Sequence, residues 1–526
     1  MPKLTDQTPM IRYDFRISKT WIETIYELPI SINTKNGKPK KISHIIHDII
    51  DTMICSGKYA RKSNGASVSF PHNVEKDYHS NEKTVLVHFR ENPDKIKYLQ
   101  YFYRTKDGTL GDEAITLPSP SSVIRTCIYD FCQNNLEKVS IKNSDTICPY
   151  DGQKNNSLNR WLNYIFKEIA NKEYLEAYCE PFMGSANVFL HLDEEFITKI
   201  TDNVSCKYKN VELKQPNSFF LNDLDTFTYS LIQSIRDNLT NFIVTVAKMP
   251  CNETEFNYIV KHLSPASENS NGEFVELTSM QKAVYLFYRQ LCKFKNSKDK
   301  WNTQDQNLIK KTFEYNDFAF PISASFYNPI VHDENGKISV TYPVEHNLTN
   351  YFKLLMRIKK LNALSQKLKL ANIYNMDFSK FIKKQLKIPH TLYYIDSPYF
   401  YSEDVYSQQT FDHKKLSMLV KQIDDQQNFF VMSNRVTVSS TRKKSGLTNN
   451  DAINMCNKYY AGKNYHYELL LFKKKVNPNE CQVEILISNF NFNGSTPYDH
   501  NITEEEVNNC IIQLKVTPNC FKPKEP

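Results

Sequence analysis

Short apolar segments that alternate with amphipathic helical segments constrain the fold of this chain most strongly. The alternation begins near residue 146, where Trp161 to Ala170 has helical apolar spacing and Leu175 to Cys179 reads as a short strand. Further on, Thr391 to Ile395 is a fully apolar strand, Lys414 to Ile423 is helical, and Asn428 to Met432 is another apolar strand. This pattern predicts an α/β fold with a parallel, doubly wound sheet, in which ligands bind beyond the carboxyl ends of the strands.

Length and charge restrict the class of protein further. A chain of 526 residues is too long for a single ordinary core, so we expect more than one domain. The formal net charge is +8 and the basic residues are clustered, which suits a polyanionic partner, although charge alone is explained as well by a solvated surface. The sequence has no apolar run of signal-peptide length and none that would span a bilayer, so we expect no membrane partner.

The cysteines argue against a metal site. The chain has 12 of them without a CxxC pair, and the closest pair, Cys127 and Cys132, lacks histidines at ligand spacing. We therefore expect no metal and a reduced intracellular environment. The expected location is cytoplasmic, associated with the nucleoid in a prokaryote or in a virus-infected cell, or nuclear in a eukaryote.

Two motifs that follow predicted strands suggest nucleotide-like ligands. In the segment from Glu180 to Phe189, Gly184 lies at a strand-to-helix turn, where a glycine lets the backbone approach a ligand closely. At the end of the predicted strand Ser218 to Leu221, the carboxylate of Asp223 is placed to accept hydrogen bonds from ribose hydroxyls. Each motif has a structural alternative, since such turns are common and Asp223 would also suit a helix N-cap.

The third motif, Asp396-Ser397-Pro398-Tyr399, follows the apolar strand Thr391 to Ile395. An exocyclic amine of adenine is a poor nucleophile because its lone pair is delocalised into the ring. A carboxylate and a backbone carbonyl that accept its two protons would free that lone pair for an electrophilic methyl group. Pro398 would fix the direction of the preceding carbonyl, and Tyr399 would stack on an extruded base. An ordinary Asp-Ser-Pro turn is the structural alternative.

In their order and spacing, these three motifs resemble the Dam-type family of DNA adenine N6 methyltransferases, whose DPPY-type motif does catalysis. The resemblance covers roughly residues 146 to 490. It implies a Rossmann-like domain that binds S-adenosylmethionine and methylates the N6 amine of a flipped-out adenine in double-stranded DNA. The implied catalytic residues are Asp396, Ser397, Pro398 and Tyr399. The implied donor-binding residues of the first two motifs are Glu180, Phe182, Gly184 and Asp223.

Secondary features agree with this resemblance. The segment from Tyr150 to Lys154 is similar to the family's Trp-x-Gly-Gly-Lys signature, which implies donor-binding roles for both of these residues. Asp377 and Phe378 are similar to an Asp-Phe element that borders the donor's adenine. The implied DNA contacts come from a recognition helix, a loop and a basic stretch, and they are Arg289, Tyr327, Asn328, Arg435, Arg442, Lys443 and Lys444.

The chain departs from the family's pattern at several points. Ala186 replaces a second glycine, Ser397 replaces the first proline of the DPPY motif, and Tyr150 replaces a tryptophan. The segment 193–217 is longer than usual, and the N-terminal 145 residues match nothing in the family. The carbonyl of Ser397 remains available, so we expect activity to survive.

We expect five segments along the chain. They are an N-terminal accessory domain (1–145), a donor-binding half (146–237), a target-recognition insertion (238–345), a catalytic half (346–495) and a C-terminal tail (496–526). For the N-terminal domain the alternatives are an added module for DNA contact and a module for a protein partner.

Other functions share part of this pattern. The same clamp would act on adenine in RNA or on the N4 amine of cytosine, and a DNA-binding subunit without turnover would keep the fold. Against the inactive subunit, Asp396, Pro398 and Tyr399 are all present. A cytosine-C5 methyltransferase needs a Pro-Cys nucleophile after a strand, and Pro250-Cys251 lies in the predicted insertion instead.

Overall fold

The computed structural model divides the chain into two compact units. One comprises Met1–Gly152 with Ser230–Lys369, and the other Gln153–Tyr229 with Leu370–Pro526. All three strand-end motifs lie in the second unit. The described residues are 10–27, 29–31, 38–55, 84–102, 119–133, 145–148, 156–207, 218–249, 252–262, 277–293, 300–301, 313–314, 330–332, 339–341, 357, 360–401, 411–438, 446–473 and 481–516.

The second unit is built on an eight-stranded sheet. Its strands are β3 (Ala177–Glu180), β4 (Phe219–Asn222), β8 (Ala371–Tyr374), β9 (Thr391–Ile395), β10 (Phe429–Arg435), β11 (His466–Lys473), β12 (Cys481–Ser488) and β13 (Thr496–Pro497). The order across the sheet is β13-β11-β12-β10-β9-β3-β4-β8, and the pairings from β10 through β8 are all parallel. The central sheet of an α/β protein is therefore confirmed.

The order of the strands creates a switch point at the centre of the sheet. From β3 the chain moves through β4 to β8 at one edge, and it then returns to β9 on the other side of β3. Successive crossovers therefore diverge between β3 and β9, which opens a crevice beyond their carboxyl ends. Glu180 closes β3 and Asp396 directly follows β9, so both acidic residues lie at this crevice.

Helices cover both faces of the sheet. One face packs on buried side chains of α12 (Phe378–Gln385), α13 (His413–Asp425) and α14 (Asn449–Tyr460). On the other face, Phe166 of α5 (Asn156–Lys172) makes edge contacts with Tyr178 and Tyr394, whose ring centroids lie 5.6 and 5.9 Å away. The strands are apolar on both sides because both faces are buried.

The sheet differs from the predicted all-parallel form at one edge. β12 pairs antiparallel with both β10 and β11, and β13 adds a short antiparallel pairing to β11. The connection between β11 and β12 spans only residues 474–480, which is too short for the crossover that a parallel pair needs. The sequence pattern did not predict β11 or β13 as strands.

Asn222 ties three strand ends together in the second unit. Its buried side-chain amide donates to the carbonyls of Pro181 and Met376, each at 3.0 Å, and its Oδ1 accepts from the Met376 N–H at 3.1 Å. One amide thus satisfies three backbone groups on the loops that follow β3 and β8. The loops that carry the first motif and the Asp-Phe element are held against the end of β4.

The first unit combines N-terminal elements with those that follow residue 230. An antiparallel pair, β1 (Ile11–Ser18) and β2 (Thr84–Glu91), packs with helices that share an apolar interior rich in isoleucine. The helices are α1 (Lys19–Glu27), α2 (Ile42–Cys55), α3 (Pro93–Phe102), α4 (Pro120–Gln133), α9 (Leu239–Lys248), α10 (Glu253–His262) and α11 (Ser279–Cys292). Helix α9 packs against α2 and α3, so part of the predicted insertion contacts the predicted N-terminal segment. The five predicted boundaries stay predictions.

The remaining helices and strands complete the described part of the chain. They are α6 (Asn187–Leu190), α7 (Glu194–Lys207), α8 (Thr226–Asp237), α15 (Glu504–Val516), a 3-10 turn at Pro29–Ser31, and a small sheet of β5 (Phe313–Glu314), β6 (Ile330–His332) and β7 (Ser339–Thr341). Among the described helices, none is both long and apolar enough to cross a membrane.

We expect Asn222→Ala to lower the free energy of unfolding by about 2–3 kcal/mol, because it leaves buried backbone groups without hydrogen bonds. Urea unfolding of the purified protein measures this change. Asn372→Ala is the matched control, since its amide makes a 3.5 Å contact with the carbonyl of Phe219. An equal effect of the two substitutions would contradict the role given to Asn222.

Candidate active site

Asp396 is held in place by a chain of hydroxyl groups. Ser433 on β10 donates from Oγ to Asp396 Oδ1 at 3.0 Å, and the hydroxyls of Ser433 and Tyr394 lie 3.1 Å apart. Because the Ser433 proton is directed at the carboxylate, Tyr394 is the donor to Ser433. Tyr394 and Ser433 are buried and Asp396 is half-buried, so the carboxylate is anchored by buried hydroxyl groups while part of the residue reaches the surface.

Tyr399, three residues further on, is fixed at its hydroxyl end. Its hydroxyl donates to Glu484 Oε2 on β12 at 3.1 Å, and the guanidinium carbon of Arg435 lies 5.1 Å from the centre of its ring. Burial raises the pKa of Tyr399 well above its ordinary value, and the charge of Glu484 raises it further. The tyrosine is therefore neutral and acts as a hydrogen-bond donor.

Glu180 lies beside the same crevice as a neutral carboxyl group. It is fully buried at the end of β3, and the Tyr178 hydroxyl donates to its Oε1 at 2.7 Å. Burial, reinforced by the charge of Asp396, raises the pKa of Glu180 to about 8. At neutral pH the protonated form predominates, so Glu180 adds no second negative charge next to Asp396.

The loop after β3 and the loop after β4 are joined through Asp223. Its two carboxylate oxygens accept from the backbone N–H groups of Gly184 and Asp225, each at 2.9 Å. Burial raises the pKa of Asp223 to about 7 in spite of these hydrogen bonds. The N-cap of α8 is Asp225 instead, because it accepts from Phe227 and Thr228. Asp223 is thus not needed as a cap.

Two residues of the first motif adopt the left-handed backbone conformation. Gly184 has φ 49° and Ala186 has φ 54°, and Ala186 directly precedes α6. Glycine adopts this conformation without strain, whereas a Cβ group costs about 1–2 kcal/mol there. Ala186 stands where the family has its second glycine. The backbone at this position therefore still favours glycine.

An aromatic cluster lies between the first motif and the Asp-Phe element. The ring centroids of Phe182, Phe378 and Phe411 lie 5.1 to 5.7 Å apart. Asp377 caps α12 by accepting from the backbone N–H of Ser379 at 3.0 Å. Burial alone would raise the pKa of Asp377, but the hydrogen bonds from Ser379 and the charge of Lys415 lower it overall.

The structure brings most of the predicted site residues together at one edge of the sheet. Six of them lie at or just after strand ends of the second unit, namely Glu180, Phe182, Gly184, Asp223, Asp377 and Phe378, and the predicted catalytic segment from Asp396 to Tyr399 follows β9. Arg289 is half-buried on α11 in the first unit. Seven predicted residues lie outside the described part of the chain, and they are Tyr150, Lys154, Tyr327, Asn328, Arg442, Lys443 and Lys444.

Three further side chains belong to this site and were not predicted from the sequence. Ser433, Glu484 and Phe411 contact the predicted residues, but they come from distant parts of the sequence. Glu484 had a detectable signal, since it is the single acidic residue in the apolar run Val483 to Ile487. Among the described residues, no cluster of three metal-ligating side chains is found.

Comparison with known families gives one finding. The family described as D12 class N6 adenine-specific DNA methyltransferase matches residues 150–469, which is more than half of the chain. The matched range contains all three strand-end motifs and ends before β12. No curated protein matches the chain.

We expect Ala186→Gly to raise the free energy of unfolding by about 0.5–1 kcal/mol, because relief of left-handed strain outweighs the added chain entropy of glycine. Thermal or urea unfolding tests this. Ala452→Gly, inside α14, is the control with the opposite sign, costing about 1 kcal/mol. Destabilisation by both substitutions would contradict the strain at Ala186.

Proposed function

We propose, on the premise that the chain belongs to the D12 class N6 adenine-specific DNA methyltransferase family, that the segment from Asp396 to Tyr399 is its catalytic clamp. Membership makes the chain a methyltransferase that modifies adenine in DNA, and its family uses an S-adenosylmethionine-type donor. The observation that carries the proposed clamp is the hydrogen bond from Ser433 to Asp396. It fixes an acidic group at the switch point of the sheet, beside the loop that would hold the donor.

The residues after β3, β4 and β8 fit S-adenosylmethionine. Gly184 exposes backbone without a Cβ group, and the carboxylate of Asp223 retains lone pairs for ribose hydroxyls. Phe182 and Phe378 supply apolar faces for an adenine ring, and Asp377 lies next to them. When bound, the donor supplies an electrophilic methyl group on its sulfonium. Tyr150 and Lys154 are proposed as further donor contacts by family resemblance alone.

Asp396 would accept a hydrogen bond from one N–H of the target amine, and the backbone carbonyl of Ser397 would accept one from the other; as the methyl group bonds to the nitrogen, the C–S bond breaks and the amine releases one proton. These two hydrogen bonds concentrate the nitrogen lone pair, which otherwise is shared with the ring. Ser433 donates to one oxygen of the carboxylate and so limits its rotation, which holds the group in one orientation towards the amine. Because Glu180 is largely protonated at neutral pH, it does not compete with Asp396 for the amine as a second negative charge.

Tyr399 would stack on the flipped adenine. A base removed from the duplex loses its stacking partners, and an aromatic face replaces part of that energy. We propose double-stranded DNA as the substrate, with contacts from residues 238–345, including Arg289, Tyr327 and Asn328. Arg435 and the basic residues Arg442, Lys443 and Lys444 would add phosphate contacts. The family does not favour an RNA substrate or an inactive subunit.

The direct test replaces Asp396. We expect Asp396→Ala to abolish transfer of tritium-labelled methyl groups to DNA, because the amine loses its principal proton acceptor. Donor binding, measured by calorimetry, and thermal unfolding should change little. Near-wild-type turnover of Asp396→Ala would refute the mechanism. Incorporation into structured RNA but not into duplex DNA would refute the substrate.

Substitution of Ser397 by alanine distinguishes the role of its backbone carbonyl from that of its hydroxyl. The hydroxyl is buried and makes no hydrogen bond among the described residues, so Ser397→Ala should raise the free energy of unfolding by about 1–2 kcal/mol. Methyl transfer should be retained, because the backbone carbonyl is unchanged. Ser488→Ala is the control and should destabilise, since its hydroxyl donates to the carbonyl of Phe490 at 2.6 Å. Loss of activity in Ser397→Ala would assign catalysis to the hydroxyl.

A further inference from the structure

Glu484 is an unusual residue for its position in the sheet. It lies within β12, where Val483 and Ile485 are fully buried, and only 8% of its own surface is exposed. Removing a carboxylate from water is costly unless specific partners compensate. The position also lies beyond the residues that the family comparison matches.

Glu484 accepts a hydrogen bond from the tyrosine of the proposed clamp, and an arginine faces it in the strand pairing. The hydroxyl of Tyr399 donates to its Oε2 at 3.1 Å. Arg435 stands directly opposite Glu484 in the antiparallel pairing of β10 with β12, so the two side chains share one face of the sheet. The Arg435 guanidinium lies 5.1 Å from the centre of the Tyr399 ring, within the range of a cation–π contact.

We propose that Glu484 is a positioning residue that locks the ring of Tyr399 in its stacking orientation, with Arg435 against one face of that ring. This inference rests on the proposed stacking role of Tyr399. A tyrosine ring turns about two side-chain bonds, and it is fixed only when its hydroxyl end is held as well as its Cβ end. Because Arg435 lies against one face of the ring, the adenine would have to stack on the opposite face.

Locking the ring before the base arrives would speed the chemical step rather than donor binding. If the Tyr399 ring is already ordered in the free enzyme, binding of the flipped base does not have to supply the free energy of ordering it. Asp396 is held in a similar way, because Ser433, which lies on the same strand as Arg435, donates a hydrogen bond to its carboxylate. Both groups that would grip the base are thus held from β10 and β12.

The test is a double-mutant cycle on Tyr399 and Glu484, measured as single-turnover methyl transfer to DNA at saturating donor. Loss of a hydrogen bond to a charged group corresponds to about a tenfold to hundredfold change, and we expect Glu484→Leu to slow transfer by that factor. Tyr399→Phe, which keeps the ring and removes the hydroxyl, should slow it similarly. In the Tyr399→Phe background, Glu484→Leu should slow methyl transfer further by less than about threefold. Glu484→Gln, which keeps an acceptor oxygen, should restore most of the rate.

Glu468→Leu is the matched control. This half-buried carboxylate lies on the neighbouring strand β11 and accepts from Trp161 Nε1 at 2.7 Å, without contact to Tyr399. It should change thermal stability but not the transfer rate, and donor affinity should be unchanged in the Glu484 variants.

Three results would overturn the positioning role. The first is that Glu484→Leu and Tyr399→Phe slow methyl transfer by factors that multiply in the double variant. The second is that Tyr399→Phe transfers methyl groups at the wild-type rate. The third is that the Glu484 variants lose donor affinity in parallel with their loss of rate. Tyr399→Phe decides the question even if Glu484→Leu does not fold. If Asp396→Ala is inactive and the cycle is multiplicative, only the positioning role fails. An active Asp396→Ala protein would remove the proposed clamp itself.

Discussion

The parallel pairing of β3 with β9 is the constraint on which the site depends. Ala177, Tyr178 and Cys179 pair with Thr391 to Tyr393, which aligns the carboxyl ends of two strands that are far apart in sequence. Crossovers leave these ends in opposite directions, which is the arrangement that opens a crevice above the sheet in α/β proteins. Glu180 and the segment from Asp396 to Tyr399 are placed directly by this alignment, and the proposed donor-binding residues Asp223 and Asp377 follow the parallel strands β4 and β8 on the same side of it.

The same alignment creates an electrostatic problem that the structure resolves locally. Glu180 and Asp396 end adjacent strands, and two ionised carboxylates in so small a space would repel each other. Burial keeps Glu180 protonated near neutral pH, and the Tyr178 hydroxyl satisfies it. Asp396 is instead half-exposed and receives a hydrogen bond from Ser433. Two carboxyl groups thus acquire different roles because their surroundings differ.

Much of this arrangement could be predicted from the sequence. Local apolar patterns located β9 with its observed bounds, and the motifs located the strand-end residues. The antiparallel edge escaped prediction because β11 carries polar residues, including His466 and Glu468, among its apolar ones. Ser433 and Glu484 also escaped, since their roles arise from pairing between strands and no local pattern encodes that pairing. Ala186 was recognised as a departure, and its positive φ explains why glycine is favoured there.

The central claim is that the group held at the end of β9 directs methyl transfer to the N6 amine of adenine in DNA. The most direct measurement is long-read sequencing of DNA from cells that express the wild-type chain, compared with cells that lack it. The account predicts N6-methyladenine in a defined sequence context. Unmodified adenines, or modification confined to the N4 amine of cytosine, would contradict it.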